Sequence, residues 1–167
     1  MARKLIYFVR HGQTENNAKE IRQGEEGGLS EKGRAQALAT AKRFPKTKGC
    51  PQTIISSPYE RAKETAAILS KELNVHIEYS PLLVERKNPT EIVGRPARDK
   101  QVKEIADMID GSYHADEFQM SDEETFIDLK VRTRKLLDYI MDRPEERMIM
   151  VTHSRFLKMI VSYMLLG

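Results

Sequence analysis

Three places in this chain combine chemistry-bearing side chains with an abrupt end of an apolar run. Arg10-His11-Gly12 follows Leu5-Ile6-Tyr7-Phe8-Val9. Ser56-Ser57-Pro58 closes the shorter run from Gln52, and Arg61 lies one turn further on. Thr152-His153-Ser154 follows Met148-Ile149-Met150-Val151. Two imidazoles and two guanidiniums brought together suit a phosphate dianion. Arginine offers planar donor forks that match phosphate oxygens, and Gly12 lets the backbone come close. A neutral imidazole is a nucleophile toward phosphorus. Neighbouring cations (Arg10, Arg61 and a protonated His153) would keep His11 neutral by lowering its pKa. They would also stabilise charge on the oxygens of a transferring phosphoryl group. Such chemistry asks for no metal and no other cofactor. A leaving alkoxide still needs a proton. Glu85, in Leu82-Leu83-Val84-Glu85-Arg86, stands at the start of a long loop, and a carboxyl beside a phosphate dianion can serve as general acid and then as base toward water. The residues alone leave Glu60 and Glu91 equally eligible.

Elements must bring these residues together. Continuous apolar runs at 5–9 and 148–151 read as strands buried on both faces, the habit of parallel sheets. Residues 52–56 form a third strand, and alternating Val75 to Tyr79 a half-exposed edge strand. Ser30 caps a helix to about Phe44, with Ala35, Leu38 and Ala39 on one face. Pro58 opens a helix with Ala62, Thr65, Ala66, Leu69 and Leu73 at helical spacing. Pro81, Pro89, Gly94 and Pro96 mark 80–96 as a long loop of the kind that often serves function. Val102, Ile105 and Ile109 set a helix ending near Gly111. Ser121 to Glu124 reads as a capping box opening a helix through Ile140. Phe156 to Leu166 is apolar nearly all round and reads as deeply packed. Alternating strands and helices predict a three-layer α/β/α sandwich with a mostly parallel central sheet, as one domain over 1–167. Parallel strands point one way, so the three polar strand ends open onto one edge.

Bulk properties narrow the setting. The 167 residues carry 40% hydrophobic and 32% charged side chains, ordinary for a globular domain. A net charge of +3 is too weak to argue for nucleic acid. No apolar run reaches the length of a membrane span, and the N-terminus lacks a signal-peptide core. Cys50 is the one cysteine, so a reducing, cytoplasmic setting is expected and Cys50 itself reads as a loop thiol. His76 and His114 read as surface histidines, the eight methionines as core filler. No zinc-type spacing occurs. Arg95 and Arg98 read as solvated charges within reach of a second anionic group on a substrate.

The motifs resemble those of the histidine phosphatase superfamily, also called phosphoglycerate mutase-like, over almost the whole chain. Val9-Arg10-His11-Gly12-Gln13-Thr14-Glu15-Asn16-Asn17 resembles the family's opening motif. Gln23-Gly24, Leu29-Ser30-Glu31-Lys32-Gly33 and Gln36-Ala37 resemble the next block. Ser56 to Ala66 resembles the block with the second phosphate-binding arginine, Leu83-Val84-Glu85-Arg86 the block with the acid, and Val151-Thr152-His153 the second-histidine motif. The resemblance implies His11 as nucleophile and Glu85, rather than Glu60 or Glu91, as proton donor. It implies Arg10, Arg61 and His153 as holders of the phosphoryl group, with Thr14, Asn17, Gln23 and Gly24 facing phosphate or substrate. It implies a phosphatase acting on a phosphorylated small molecule, or a phosphopeptide, through a phosphohistidine. A phosphoglycerate-type mutase, a protein phosphatase and a noncatalytic phospho-ligand binder are the alternatives on the same fold. Two departures stand out. Ser154 replaces the glycine that commonly follows the second histidine. The chain also stops at Gly167 where relatives usually continue into more sheet, which implies a less covered sheet edge.

Overall fold

The computed structural model describes residues 3–45, 47, 49–112 and 118–166; His114 lies outside them. Four strands, β1 (Leu5–Arg10), β2 (Thr53–Ser56), β3 (Ile77–Tyr79) and β4 (Arg147–Thr152), form one sheet in the order β1-β4-β2-β3. All pairings are parallel. The helices are α1 (Glu15–Ala18), α2 (Glu31–Ala41), α3 (Glu60–Leu73), α4 (Lys100–Gly111), α5 (Phe126–Asp142) and α6 (Ser154–Leu166). The architecture is the expected α/β/α sandwich with a parallel central sheet.

The middle of each central strand, Ile54-Ile55 in β2 and Met148 to Val151 in β4, is continuously apolar because alternate side chains enter opposite cores. Met148 and Met150 of β4 join Ile55, Leu136, Phe156 and Ile160 under α5 and α6. Ile149 and Val151 join Ile54, Ala62, Ala66 and Leu69 under α2 and α3. The chain leaves β1 and β2 toward one face and β4, lying between them, toward the other. This reversal opens a crevice beyond the strand ends, the ordinary ligand position in such sheets.

Helix α2 approaches the end of β1 through Gly33, Ala37 and Ala41, its buried residues. The face expected from Ala35, Leu38 and Ala39 is corrected: Ala35 and Ala39 are exposed. Small residues four apart let the helix come closer than leucine would allow. The contact is tightest at Gly12 and Gly33. A Cβ on Gly12 would overlap the Gly33 carbonyl, and a Cβ on Gly33 would overlap the Gln13 backbone. Ser30 caps α2, its hydroxyl accepting from the Gly33 N–H at 3.1 Å.

Two other expectations are corrected. The capping box of α5 is Thr125 with Asp128, not Ser121 with Glu124. Glu123, buried, instead accepts from the Met120 and Ser121 N–H groups and closes a turn before the helix. Helix α6 buries only Phe156, Met159 and Ile160, while Met164, Leu165 and Leu166 are exposed. Its apolar circumference exceeds the surface that α5 and the flank of β1 offer it. Strands β1 and β3 form the two sheet edges. No described helix is long and apolar enough to cross a membrane.

Gly33→Ala is expected to lower Tm by several degrees. Overpacking costs about 1–3 kcal/mol, and a domain of this size loses about 2–4 °C per kcal/mol. Gly111→Ala, where the added Cβ meets nothing within 4 Å, serves as control in the same thermal scan. Equal Tm values for the two variants would contradict the close approach at the β1 end.

Candidate active site

The sheet's hydrogen bonding continues past the strand ends and fixes the site backbone. The His11 N–H donates to the Thr152 carbonyl at 3.0 Å, and the Ser57 N–H to the Val151 carbonyl at 2.9 Å. The Gly12 N–H donates to Thr65 Oγ1 at 3.1 Å, while that hydroxyl donates to the Arg61 carbonyl at 2.7 Å. Thr65 thus ties the β1 end to the turn of α3 that carries Arg61.

His11 and His153 lie with ring centroids 5.0 Å apart. His11 Nδ1 is 2.7 Å from the Gly12 carbonyl oxygen. A carbonyl only accepts, so Nδ1 carries the proton. A neutral His11 therefore keeps its lone pair on Nε2. Burial, aided by Arg61 and Arg10, lowers the His11 pKa to about 4 against the upward pull of the Gly12 bond. The protonated His153 expected from sequence is corrected. His153 is fully buried, and desolvation, then Arg61 and His11, lower its pKa to about 2. Its Nε2 is 2.8 Å from Ser57 Oγ, and Tyr59 packs edge-on at 5.2 Å.

A cleft of about 280 Å³ opens over His11. Arg10, Arg61, Asn17, Gln23 and Glu85 line it. His153 is not part of that lining, but its ring packs against His11. Arg61 is buried, its guanidinium donating to the Glu25 carbonyl at 3.0 Å and stacking over Tyr59 at 5.0 Å. Burial lowers its pKa. Arg10 is exposed.

Glu85 sits at the N-terminus of α6. Its Oε1 accepts from the Phe156 N–H at 2.9 Å and the Arg86 N–H at 3.0 Å; its Oε2 accepts from the Arg155 N–H at 3.2 Å. These three backbone N–H groups, two of them unpaired in the first turn of α6, fix the position of the carboxyl group. Arg132 of α5 supports this seat. It forks onto Glu124, donates to the Leu82 and Val84 carbonyls just before Glu85, and lies 3.7 Å over the Phe156 ring.

Of the residues expected to face phosphate or substrate, Thr14 and Gly24 are absent from the cleft lining. Thr14 is buried and caps α1: its Oγ1 accepts from the Asn17 N–H and donates to Gln23 Oε1. Gln23 reaches the lining but commits its amide to Thr14 and to the Glu26 carbonyl. Asn17 accepts from the Thr14 N–H through Oδ1. Sequence reasoning missed Ile21, Arg22, Asn88, Arg155 and Lys158 in the lining, and Thr65 and Arg132 behind it. Arg155 and Lys158 were detectable, being two and five residues beyond His153 on the helix that leaves the site. Arg22 and Asn88 carried no signal, because loop paths set them. Among the described residues no group of His, Cys, Asp and Glu could hold a metal ion.

A family model of the histidine phosphatase superfamily (branch 1) matches residues 6–167, and the chain belongs to that family. Mycobacterial glucosyl-3-phosphoglycerate phosphatase, solved with VO3, is 25% identical with a TM-score of 0.74; the match covers 93% of this chain and 77% of that one. YhfR of Bacillus stearothermophilus is 25% identical with a TM-score of 0.75, covering 94% and 77%. The alpha-ribazole phosphatase of Shigella flexneri, at 19% identity, TM-score 0.77 and coverage of 94% and 77%, shares the fold. No curated protein matches the sequence.

Because both histidines have folded pKa values below the ordinary 6.5, protons bind the unfolded chain more tightly. Their contribution to stability is complete above about pH 6.5 and is lost as pH falls toward the folded values. Imidazole NMR at pH 5.5 is expected to show His11 and His153 neutral, with the urea midpoint lower at pH 5 than at pH 7. Titration of both rings near pH 6.5 would contradict their burial.

Proposed function

We propose that the protein is a phosphatase that hydrolyses phosphate monoesters of small molecules through a phosphohistidine on His11. One observation carries the reading: a buried, neutral imidazole whose Nδ1–H is held by the Gly12 carbonyl keeps its Nε2 lone pair beside two guanidiniums in an open cleft. Arg10, Arg61 and His153 hold the phosphoryl group in this reading, with the Asn17 amide as a further donor. His11 Nε2 attacks phosphorus. The bond to the ester oxygen breaks, and protonated Glu85 gives the leaving alkoxide its proton. Glu85, now a carboxylate, takes a proton from water, whose oxygen attacks phosphohistidine and frees inorganic phosphate and Nε2. The seat at the α6 N-terminus holds the carboxyl group in one place for both steps. Neutral His153 contributes through a hydrogen bond rather than a charge. Thr14 and Gly24 act by shaping the loop. The mycobacterial phosphatase among the similar structures, also solved with inorganic phosphate, supports the same class. Free Cys50 agrees with a cytoplasmic setting.

The test is phosphate release from a panel of sugar phosphates, nucleotides, glycerate phosphates and phosphopeptides. Wild type is expected to release phosphate and, after rapid quench, to carry acid-labile, base-stable label on His11. His11→Ala is expected to abolish both. Glu85→Gln is expected to slow alkyl phosphates far more than aryl phosphates, whose leaving groups need no proton. A chelator is expected to leave turnover unchanged. Isomerisation of a glycerate phosphate without release would favour a mutase; binding without turnover would favour a noncatalytic receptor.

Arg132→Met is expected to act through Glu85. It should lower kcat by about tenfold or more, because breaking this partly buried ion pair leaves an uncompensated charge that disturbs the seat, with KM little changed and the same leaving-group bias as Glu85→Gln. An equal loss on aryl and alkyl phosphates would assign Arg132 to folding alone.

A further inference from the structure

We infer that the cleft holds a second anion subsite, built from Arg22, Arg155 and Lys158, and that the substrate is a compact phosphate monoester bearing another anionic group, a carboxylate or a second phosphate. The inference deepens the phosphatase reading and rests on it for the word substrate.

Charge in the cleft is lopsided. Among the described residues five cationic side chains line it against one carboxylate, Glu85. Arg10 and Arg61 lie with His11 and balance one phosphoryl dianion. Three cations remain, contributed by two elements. Arg155 and Lys158, three apart on α6, share a helix face. Arg22 comes from the loop between α1 and α2.

These three are poorly dressed by the protein's own acids. Among the described residues the Arg22 side chain and Lys158 have no ion-pair partner, and Arg22 Nε is buried without a hydrogen bond. The Arg155 side chain is 22% exposed. It donates to neutral Asn88 Oδ1 at 3.3 Å. Its nearest carboxylate among the described residues, Asp110, is 3.9 Å away and already pairs with Arg86 at 3.0 Å. Burial and the like charges of Arg86 and Arg22 hold the Arg155 pKa below its usual range. Crowded, half-buried guanidiniums such as Arg155 and Arg22 are relieved by an anion, and exposed Lys158 adds a third positive charge to the same lining. The arginines that sequence reasoning held ready for a second anion are differently placed. Arg95 is paired with Asp99 at 2.9 Å and bonded to Gln101, and neither Arg95 nor Arg98 lines the cleft. The volume, about 280 Å³, fits two anionic groups on a small carbon frame.

Matched substrate pairs test this. 3-Phosphoglycerate against glycerol 3-phosphate isolates a carboxylate; ribose 1,5-bisphosphate against ribose 5-phosphate isolates a second phosphate. A phosphotyrosyl peptide is the bulky comparison. For at least one pair, the second anion is expected to raise kcat/KM about tenfold or more, the effect of one or two charge-assisted hydrogen bonds. Arg22→Met and Lys158→Met, the latter at an exposed position, should each collapse that ratio. Equal kcat/KM within both pairs, variants that slow both members alike, or the peptide as the best substrate would overturn the subsite. Should the wild type release phosphate from none of these compounds, the phosphatase reading fails, and calorimetry decides the subsite separately. Tighter binding of the doubly anionic member, lost in Arg22→Met and Lys158→Met, supports it; equal binding of both members overturns it.

Discussion

The backbone bond from His11 to the Thr152 carbonyl, with its neighbour from Ser57 to Val151, is the constraint on which the site depends. Each extends the parallel ladder one step beyond the last strand residue. Three separate stretches of chain, ending at His11, Ser57 and His153, are thereby held at the same level of the sheet. In a parallel sheet a one-residue slip exchanges the two faces of a strand. Here such a slip would drive Met148 and Met150 into the core that receives Ile149 and Val151. The two hydrophobic cores therefore enforce the register, and the register places the imidazoles.

Burial does the next part of the work. Desolvation is the largest cause of the lowered pKa of both His11 and His153, ahead of the arginine charges. The cleft's cations are thus not what chiefly keeps His11 neutral, and they remain available to an anionic ligand. A histidine neutralised only by nearby arginines would recover basicity once a phosphate dianion offset those charges. A histidine neutralised by burial depends less on that balance and can stay a nucleophile with its ligand bound. The Gly12 carbonyl fixes which nitrogen holds the proton, so tautomer and protonation state come from separate features.

The fold was legible because each of its signals had a single physical cause. The runs at 5–9 and 148–151 are apolar at every position, and only a two-sided sheet requires that. The spacing in α3 located its buried face because Leu69 and Leu73, with branched Thr65, mark it beside Ala62 and Ala66. Helix α2 misled because the close approach of Gly12 and Gly33 selects for the smallest residues, and glycine gives no hydrophobic signal. The box at Ser121 misled because serine followed by glutamate also closes a turn, and Thr125 with Asp128 offered an equally good cap four residues later. The family motif made Thr14 and Gln23 look like ligand contacts. The structure uses them to hold one another, since a loop that faces a ligand must satisfy its own polar groups first.

The division between what was and was not legible has a structural basis. Strand ends carry the reacting groups, and strands are set by long apolar patterns that sequence displays openly. The far wall of the cleft comes from the loop carrying Arg22, the loop carrying Glu85 and Asn88, and the exposed side of α6. Those parts meet through particular bonds: Arg22 N–H to the Arg95 carbonyl, Asn88 to the Gln23 carbonyl and to Arg155, and Glu85 to the α6 N-terminus. None of these has a period or a composition. Arg132 joins the two regimes, since it sits on a regular helix yet grips the irregular segment before Glu85 and the ring of Phe156 together. The distance from nucleophile to acid is therefore set by α5 and α6 as a packed pair. The residues that choose the rest of a substrate are free to vary around a frame that does not move with them.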